Sequence, residues 1–285
     1  MQLEMALGQL RATIEADEVM FWGKVTGLNA DYYVALAVTF QGMYEFPQKQ
    51  FYWTLSTTPD FKFKEMPGLG LPMPEQDAFI DSCATYFMGE PNRLMQQKAE
   101  GEEEEAAQEE APAEEEEEEA AEKAAKDSQE SEEEEIKVPK RALQEVNRLA
   151  LVVNAIENDC HVCPMGAFKM TPQHELCRAE AFRGLAKADA ANLANYQHFR
   201  NVQHADKKAL LDKSDAPFHK DVLDPVEADQ PKGCWSLQMD ERCERAMLRS
   251  LSWPGFQFFH KVGSNKFGNV YIGDGLKNQA VHFVV

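Results

Sequence analysis

The residues best suited to chemistry in this chain lie between positions 160 and 177. Cys160 and Cys163 form a C-x2-C pair, and ten residues separate that pair from His174 and Cys177, which form an H-x2-C pair. Three thiolates and one imidazole are a donor set that binds zinc in tetrahedral geometry. The same thiols could instead be small, partly buried apolar side chains. The spacing therefore leaves two hypotheses open, a zinc-binding regulatory protein and a cysteine cluster with a purely structural role.

Other catalytic and cofactor patterns fail at a residue that their chemistry needs. The stretch that starts at His174 resembles the metalloprotease pattern H-E-x-x-H, but Arg178 stands at the second ligand position and cannot bind zinc. In the glycine-rich run 268–275, Asp274 stands where a phosphate-binding loop needs lysine. There is no G-x-S-x-G sequence for a serine nucleophile. We expect no catalytic residue, no resident metal or cofactor, and no enzymatic activity on a small-molecule substrate.

The charge of the chain is concentrated in one segment. The formal net charge is -20, and 20 of the 49 acidic residues fall between positions 100 and 135, beside only Lys123 and Lys126. Such a segment has little apolar surface to bury, and its carboxylates repel one another, so we predict an acidic disordered insert at 98–137. A glutamate-rich tract could also shield basic proteins, which makes an acidic chaperone an alternative function.

The rest of the chain is nearly neutral, and its composition excludes several classes of protein. Without a basic excess, binding to nucleic acid lacks its main electrostatic contribution. The apolar stretches are too short to span a bilayer, and no secretory signal is visible at the N-terminus. Six cysteines without a secretory signal are typical of reduced thiols inside the cell.

Apolar periodicity predicts elements that would place these residues in an α+β fold. Helical spacing runs from Leu3 to Ile14, and aromatic and β-branched residues then predict a hairpin of strands 19–28 and 32–39 joined by residues 29–31. We predict further strands at 51–56, 233–239, 246–251, 256–260 and 269–273, and helices at 77–87, 139–158, 186–199 and 206–212. The expected architecture is two antiparallel β-rich ends around a helical middle, with parts 1–97 and 138–285 packed as one globular unit.

Three long stretches, in the same order along the chain, resemble one family. They are residues 21–35 (FWGKVTGLNADYYVA), 231–238 (PKGCWSLQ), and 248–255 (LRSLSWPG) followed by 268–273 (GNVYIG). They are similar to sequence elements of the radial spoke head proteins of motile cilia and flagella, and the short chain is similar to a smaller member of that family. The residues that carry the resemblance, and that could form an interface, are Trp22, Gly23, Tyr32, Tyr33, Gly233, Trp235, Trp253, Pro254, Gly255 and Tyr271.

The resemblance implies a non-enzymatic structural subunit of the spoke head on axonemal doublet microtubules. Its implied partners are the larger family members, numbered four and six, together with other head and stalk proteins. The implied roles are assembly of the head and transmission of central-pair signals that regulate dynein-driven beating. Cys234 stands where the family usually has serine, and neither the acidic insert nor the cysteine cluster belongs to the family elements.

Overall fold

A computed structural model describes residues 2–40, 46–68, 85–94, 144–213 and 215–284. The strands, in chain order, are β1 Glu18–Val25, β2 Tyr32–Thr39, β3 Gln48–Leu55, β4 Lys64–Glu65, β5 Val162–Pro164, β6 Phe168–Met170, β7 Leu176–Arg178, β8 Tyr196–His198, β9 Trp235–Met239, β10 Arg245–Ser250, β11 Phe256–Lys261 and β12 Phe267–Gly273. The α-helices are α1 Gln2–Thr13, α2 Glu145–Cys160, α3 Lys187–Ala190, α4 Ala205–Leu211 and α5 Val281–Val284. None of the helices in these ranges is long and apolar enough to cross a bilayer.

One eight-stranded sheet unites the two ends of the chain. Its strand order is β4-β3-β2-β1-β12-β11-β10-β9, and every neighbouring pair is antiparallel except β1 and β12. The N-terminal strands therefore form one antiparallel meander and the C-terminal strands form another. The parallel β1–β12 pairing, in which Gly23 lies opposite Tyr271, joins the two meanders in the middle of the sheet.

The helix α2 packs against one face of this sheet and forms the main core with it. Apolar side chains on α2, including Leu149, Val153 and Ile156, are fully buried in the same cluster as Val34 and Leu36 of β2. Burying a side chain of this size stabilises a fold by about 1.5–3 kcal/mol relative to leaving it exposed. A smaller second cluster lies around Phe168 and Phe199, beside the short strands β5 to β8.

The α+β fold class is confirmed, and so are helix α1, the N-terminal hairpin and the four C-terminal strands. The hairpin connection is longer than predicted, because β1 ends at Val25 rather than at residue 28. The backbone N–H of Thr26 bonds to the carbonyl oxygen of Gly273 (2.8 Å), and that of Leu28 bonds to the carbonyl oxygen of Phe87 (2.9 Å). Thr26 and Leu28 therefore do not pair with β2, because their backbone N–H groups are bonded to other parts of the chain.

The predicted helix at 186–199 is wrong. That stretch contains the one-turn helix α3, a 3-10 turn at Leu193–Asn195, and strand β8. The Asn192 side chain accepts the N–H of Ala194, and asparagine at such a position competes with continued helix. Strand β8 then pairs antiparallel with β5, and this tertiary pairing overrides the local helical propensity.

Several predictions fall on residues that the structure does not describe. The acidic segment 98–137, most of the predicted helix 77–87 and the first residues of the predicted helix 139–158 lie outside the described ranges. The described part of the 139–158 prediction is helix α2, which continues two residues further, to Cys160.

Glycine is required at position 23 by the close approach of the two central strands. A Cβ atom at Gly23 would lie 2.2 Å from the backbone oxygen of Tyr271. We expect Gly23→Ala to lower the free energy of unfolding in urea by about 3 kcal/mol, because the parallel strands would have to separate. The matched control is Gly8→Ala in α1, where a Cβ meets nothing within 4 Å, so we expect it to raise stability by up to about 1 kcal/mol. Equal effects of the two substitutions would contradict this account of the junction.

Candidate functional site

Aromatic side chains from the stretches that resemble the family contact carboxylates of helix α2. Each phenol or indole donates one hydrogen bond to an acidic side chain near one end of the helix. The pairs are Tyr32 Oη with Glu145 Oε1 (2.5 Å), Trp22 Nε1 with Glu157 Oε2 (2.9 Å) and Trp253 Nε1 with Asp159 Oδ2 (2.9 Å). Strands β1 and β2 and the turn after β10 are thereby fixed to the same helix.

Glu145 holds the first turn of α2 against the sheet and against the segment 85–94. Its carboxylate accepts the Tyr32 hydroxyl and also the backbone N–H groups of Met88 (3.0 Å), Gly89 (2.8 Å) and Glu90 (3.0 Å). Glu145 is buried, so these donors replace the water that its oxygens lose on folding. Burial, together with the bond to Glu145, raises the pKa of the Tyr32 hydroxyl, which therefore remains a donor.

Glu157 is the centre of a buried charged network at the other end of α2. Its carboxylate binds the Lys49 ammonium (2.6 Å) and His161 Nδ1 (2.5 Å) in addition to the Trp22 indole. Lys49 also donates to the carbonyl oxygen of Phe199 (2.6 Å), and its ammonium lies 4.7 Å from the centre of that ring. Burial opposes ionisation of Glu157, but His161 and Lys49 hold the pKa of its carboxyl below the usual range.

Of the other two tryptophans, Trp235 also donates to a carboxylate, whereas Trp53 is held by packing. The Trp235 indole donates to Asp229 Oδ2 (2.7 Å), and the same carboxylate binds His198 Nε2 (2.9 Å). Trp53 is buried by packing, with its ring centre 5.9 Å from that of Tyr32. All four tryptophans are therefore interior residues of this chain, as expected for most of them from their place in predicted strands.

Two glycines of the sequence elements let the chain approach β12 closely. Gly23 faces Tyr271, and Gly255 has φ 102°, with a hypothetical Cβ 2.2 Å from the backbone oxygen of Ile272. The Tyr271 ring is fully buried, with its centre 5.5 Å from that of Trp22, and its hydroxyl accepts the N–H of Gly275 (2.9 Å). Strand β12 is thus held tightly between its neighbours.

The residues that carry the resemblance divide into an interior set and an outer set. The buried members are Trp22, Gly23, Tyr32, Trp235, Trp253 and Tyr271, whereas Tyr33 and Gly255 are half-buried and Gly233 and Pro254 are exposed. Buried side chains act by supporting the surface above them. A direct interface role for any of these residues stays a prediction.

The structure does not bring the four zinc-ligand candidates together, so the zinc hypothesis is wrong. Cys160 lies in the main core and Cys163 in the second cluster, and Cys177 is half-buried on β7. Within the described ranges, which include all four candidates, no three His, Cys, Asp or Glu side chains lie close enough to hold a metal ion. Burial raises the pKa of the Cys163 thiol to about 12, which opposes the thiolate form that binds zinc.

Sequence reasoning missed the carboxylates of α2 as the partners of the aromatic side chains. The apolar periodicity of the helix was visible, but Glu157 occupies a place where the stripe formed by Val153 and Cys160 should continue. An acidic residue within an apolar stripe is the signal that could have indicated a buried, partnered carboxylate. The acidic chaperone alternative rests on residues outside the described ranges and stays a prediction.

The Glu157 network makes stability depend on pH. The folded protein holds the pKa of the Glu157 carboxyl below the value of 4.5 typical of an exposed glutamate. The contribution of Glu157 to stability is therefore fully present above about pH 4.5 and is lost as the pH falls further. We expect Glu157→Gln to lower the free energy of unfolding by about 3 kcal/mol at pH 7, since Lys49 loses its buried partner. The deficit should shrink between pH 5 and 3 in urea titrations followed by circular dichroism.

The control for this measurement is Glu227→Gln, which alters an exposed carboxylate without an ion pair to a described residue. We expect it to change stability by less than about 0.5 kcal/mol at either pH. A deficit for Glu157→Gln that stays constant down to pH 3 would contradict the assigned direction of the pKa.

Comparison with known proteins connects this geometry with one family. The family model described as Radial spokehead-like protein matches residues 1–150 and 203–285. Two relatives named Radial spoke head protein 9 homolog are 32% identical over 277 residues (Homo sapiens, 94% of this chain and 85% of the relative) and 29% identical over 289 residues (Danio rerio, 99% and 90%). The family model leaves out residues 151–202, which include the cysteine cluster.

The matched residues include every stretch on which the resemblance rests, and in the structure those stretches contribute to strands β1, β2, β9, β10 and β12 and to the turns beside them. The resemblance seen in the sequence is confirmed, and this chain belongs to the radial spokehead-like protein family.

Proposed function

We propose that this chain is a non-catalytic structural subunit of the axonemal radial spoke head in cilia or flagella. The observation that carries the proposal is where the aromatic side chains of the family stretches lie and what they bind. Trp22, Tyr32 and Trp253 are all buried and donate hydrogen bonds to α2, so these side chains are not exposed for contact with a substrate. Side chains committed in this way stiffen a scaffold, and a stiff scaffold can pass force between the proteins docked on it.

The partners in this proposal are the larger family members, numbered four and six, and other head and stalk proteins. Parts 1–97 and 138–285 act as one globular unit around the acidic insert 98–137. Docked in the head, the chain is needed for head assembly and helps to transmit central-pair signals that regulate dynein. Permanent interfaces of such assemblies are large and apolar. The function includes no cofactor, no nucleic acid, no membrane and no small-molecule substrate.

The proposal is tested by removing the gene from a ciliated cell. We expect isolated, detergent-extracted axonemes to retain spoke stalks but to lose density at the spoke heads in electron cryotomography, with altered beating. Return of a tagged full-length chain should restore both the heads and normal beating. Complete heads in axonemes without the chain, or a tagged chain absent from the axonemal fraction, would contradict the proposal.

A further inference from the structure

The side of strands β9–β12 that faces away from α2, called here the outer β9–β12 face, is largely open. Burial alternates along β11, where Phe256, Phe258 and His260 are buried and Gln257, Phe259 and Lys261 are exposed. The exposed fractions are 46% for Phe259 on β11 and 54% for Ile272 on β12. Antiparallel sheets with one solvated face normally direct polar side chains outward, so large apolar residues at these positions are notable.

The N-terminal half of the same sheet is covered on this side by the chain itself. Ala35 and Ala37 lie on the side of β2 opposite to the core residues Val34 and Leu36, yet they are 0% and 2% exposed. Helix α1 and residues 59–63 line one groove, and the Phe61 ring lies 5.6 Å from the ring of Tyr33. The described residues therefore cover one half of this side and leave the other half open.

The centre of the outer β9–β12 face is apolar and continuous across three strands. Met247 lies directly opposite Phe259, and Phe259 lies directly opposite Gly268. The Phe259 ring rests over that glycine, where an added Cβ would come within 3.0 Å of it. Val270 and Ile272 are the next outward positions on β12. A contiguous exposed patch of this kind marks an interaction site more often than scattered apolar residues do.

Within the strands, the charged side chains that point outward on this face are basic. Just beyond β9, Asp240 lies opposite Arg245, and its backbone N–H bonds to the carbonyl oxygen of Arg245 (2.9 Å). Arg245, Arg249 and Lys261 point outward from β10 and β11, and no acidic residue occupies an outward position on strands β9–β12. Arg245 lies directly opposite Lys261. Like charges in opposed positions destabilise a sheet, and none of the three forms an ion pair with another described residue. In a chain of net charge -20, this local excess fits an acidic partner.

We infer that the outer β9–β12 face binds a segment of a neighbouring protein subunit that carries both acidic and aliphatic side chains. Its carboxylates pair with Arg245, Arg249 and Lys261, while its aliphatic side chains cover Phe259 and Ile272. This inference deepens the proposed function, and it rests on that function only in placing the neighbouring subunit in the spoke head. A second copy of this face would bring the same three positive charges together, and a nucleic acid would leave the apolar centre unused.

The first test uses full-length chains expressed in cells that lack the native one. The variants F259S/I272S and R249E/K261E each alter the face, and we expect both to reduce co-sedimentation with released radial spokes by about tenfold or more. The matched controls are F218S, at a side chain that is 87% exposed, and K169E/K187E, at two exposed lysines on other elements. All four chains should show native circular dichroism spectra, because the altered side chains lie outside the core.

The second test asks which residues lie against the face. A carbodiimide joins an amine directly to a carboxylate, so it is applied to the native complex extracted from ciliary skeletons, and the products are identified by mass spectrometry. We expect Lys261 to be joined to an aspartate or glutamate of another protein, within a sequence that also contains aliphatic residues. Lys169 and Lys187 serve as internal controls and should not show this product.

Four outcomes would overturn the inference. Products between Lys261 and residues 100–135 of the same chain would identify its own acidic run as the occupant, and products with a second copy would indicate self-association. Binding of a fluorescent RNA or DNA 20-mer that R249E/K261E abolishes would indicate a polyanion site. Native co-sedimentation of both face variants, without a Lys261 product, would exclude docking here. If the native chain is absent from spokes but Lys261 still gives the expected product, the proposed function fails and the inference stands.

Discussion

A carboxylate enclosed between a helix and a sheet destabilises a protein unless donors replace the water it has lost. Helix α2 carries two such groups, Glu145 and Glu157, with the less buried Asp159 beside them. Each of the three accepts a hydrogen bond from an aromatic side chain of the sheet or its turns, while Glu145 also accepts backbone N–H groups and Glu157 also binds Lys49 and His161. Each side stabilises the other, because truncating one partner removes a hydrogen bond from a buried polar group. The pairing fixes the position of the sheet on the helix, and the remaining architecture depends on that position.

The parallel contact between β1 and β12 follows from the same arrangement. Trp22 and Tyr271 pack ring against ring beneath α2, and Gly23 allows the two backbones to approach above them. This contact joins two antiparallel meanders that are far apart in sequence into a single sheet. A single sheet joined at its centre suits a protein whose proposed work is to hold neighbours at fixed positions. The family aromatics thus act from the interior on the shape of the surface.

The parts that could be predicted from the sequence are those in which local pattern and final environment agree. Strands such as β2 and β11 carry β-branched or aromatic residues, and the apolar stripe of α2 has a helical period, so their type was visible. The predicted helix at 186–199 is wrong because its alanines favour helix, whereas the position of its last residues is decided by the pairing of β8 with the distant β5. The tryptophans could be placed in the core, but their carboxylate partners could not, since those contacts span up to 135 residues. The zinc hypothesis is wrong for a different reason, because Cys160 and Cys163 are close in sequence but lie in two separate clusters.

The central claim, that aromatic donors and helix carboxylates stabilise each other, is tested most directly by a double-mutant cycle on Tyr32 and Glu145. Unfolding free energies in urea would be measured for the native chain, Tyr32→Phe, Glu145→Ala and the double variant. The account predicts that the double variant loses less stability than the sum of the single losses, by about 1.5–3 kcal/mol, the range for a hydrogen bond to a charged group. Losses that add to within about 0.3 kcal/mol would show that the two residues contribute independently and would contradict the account.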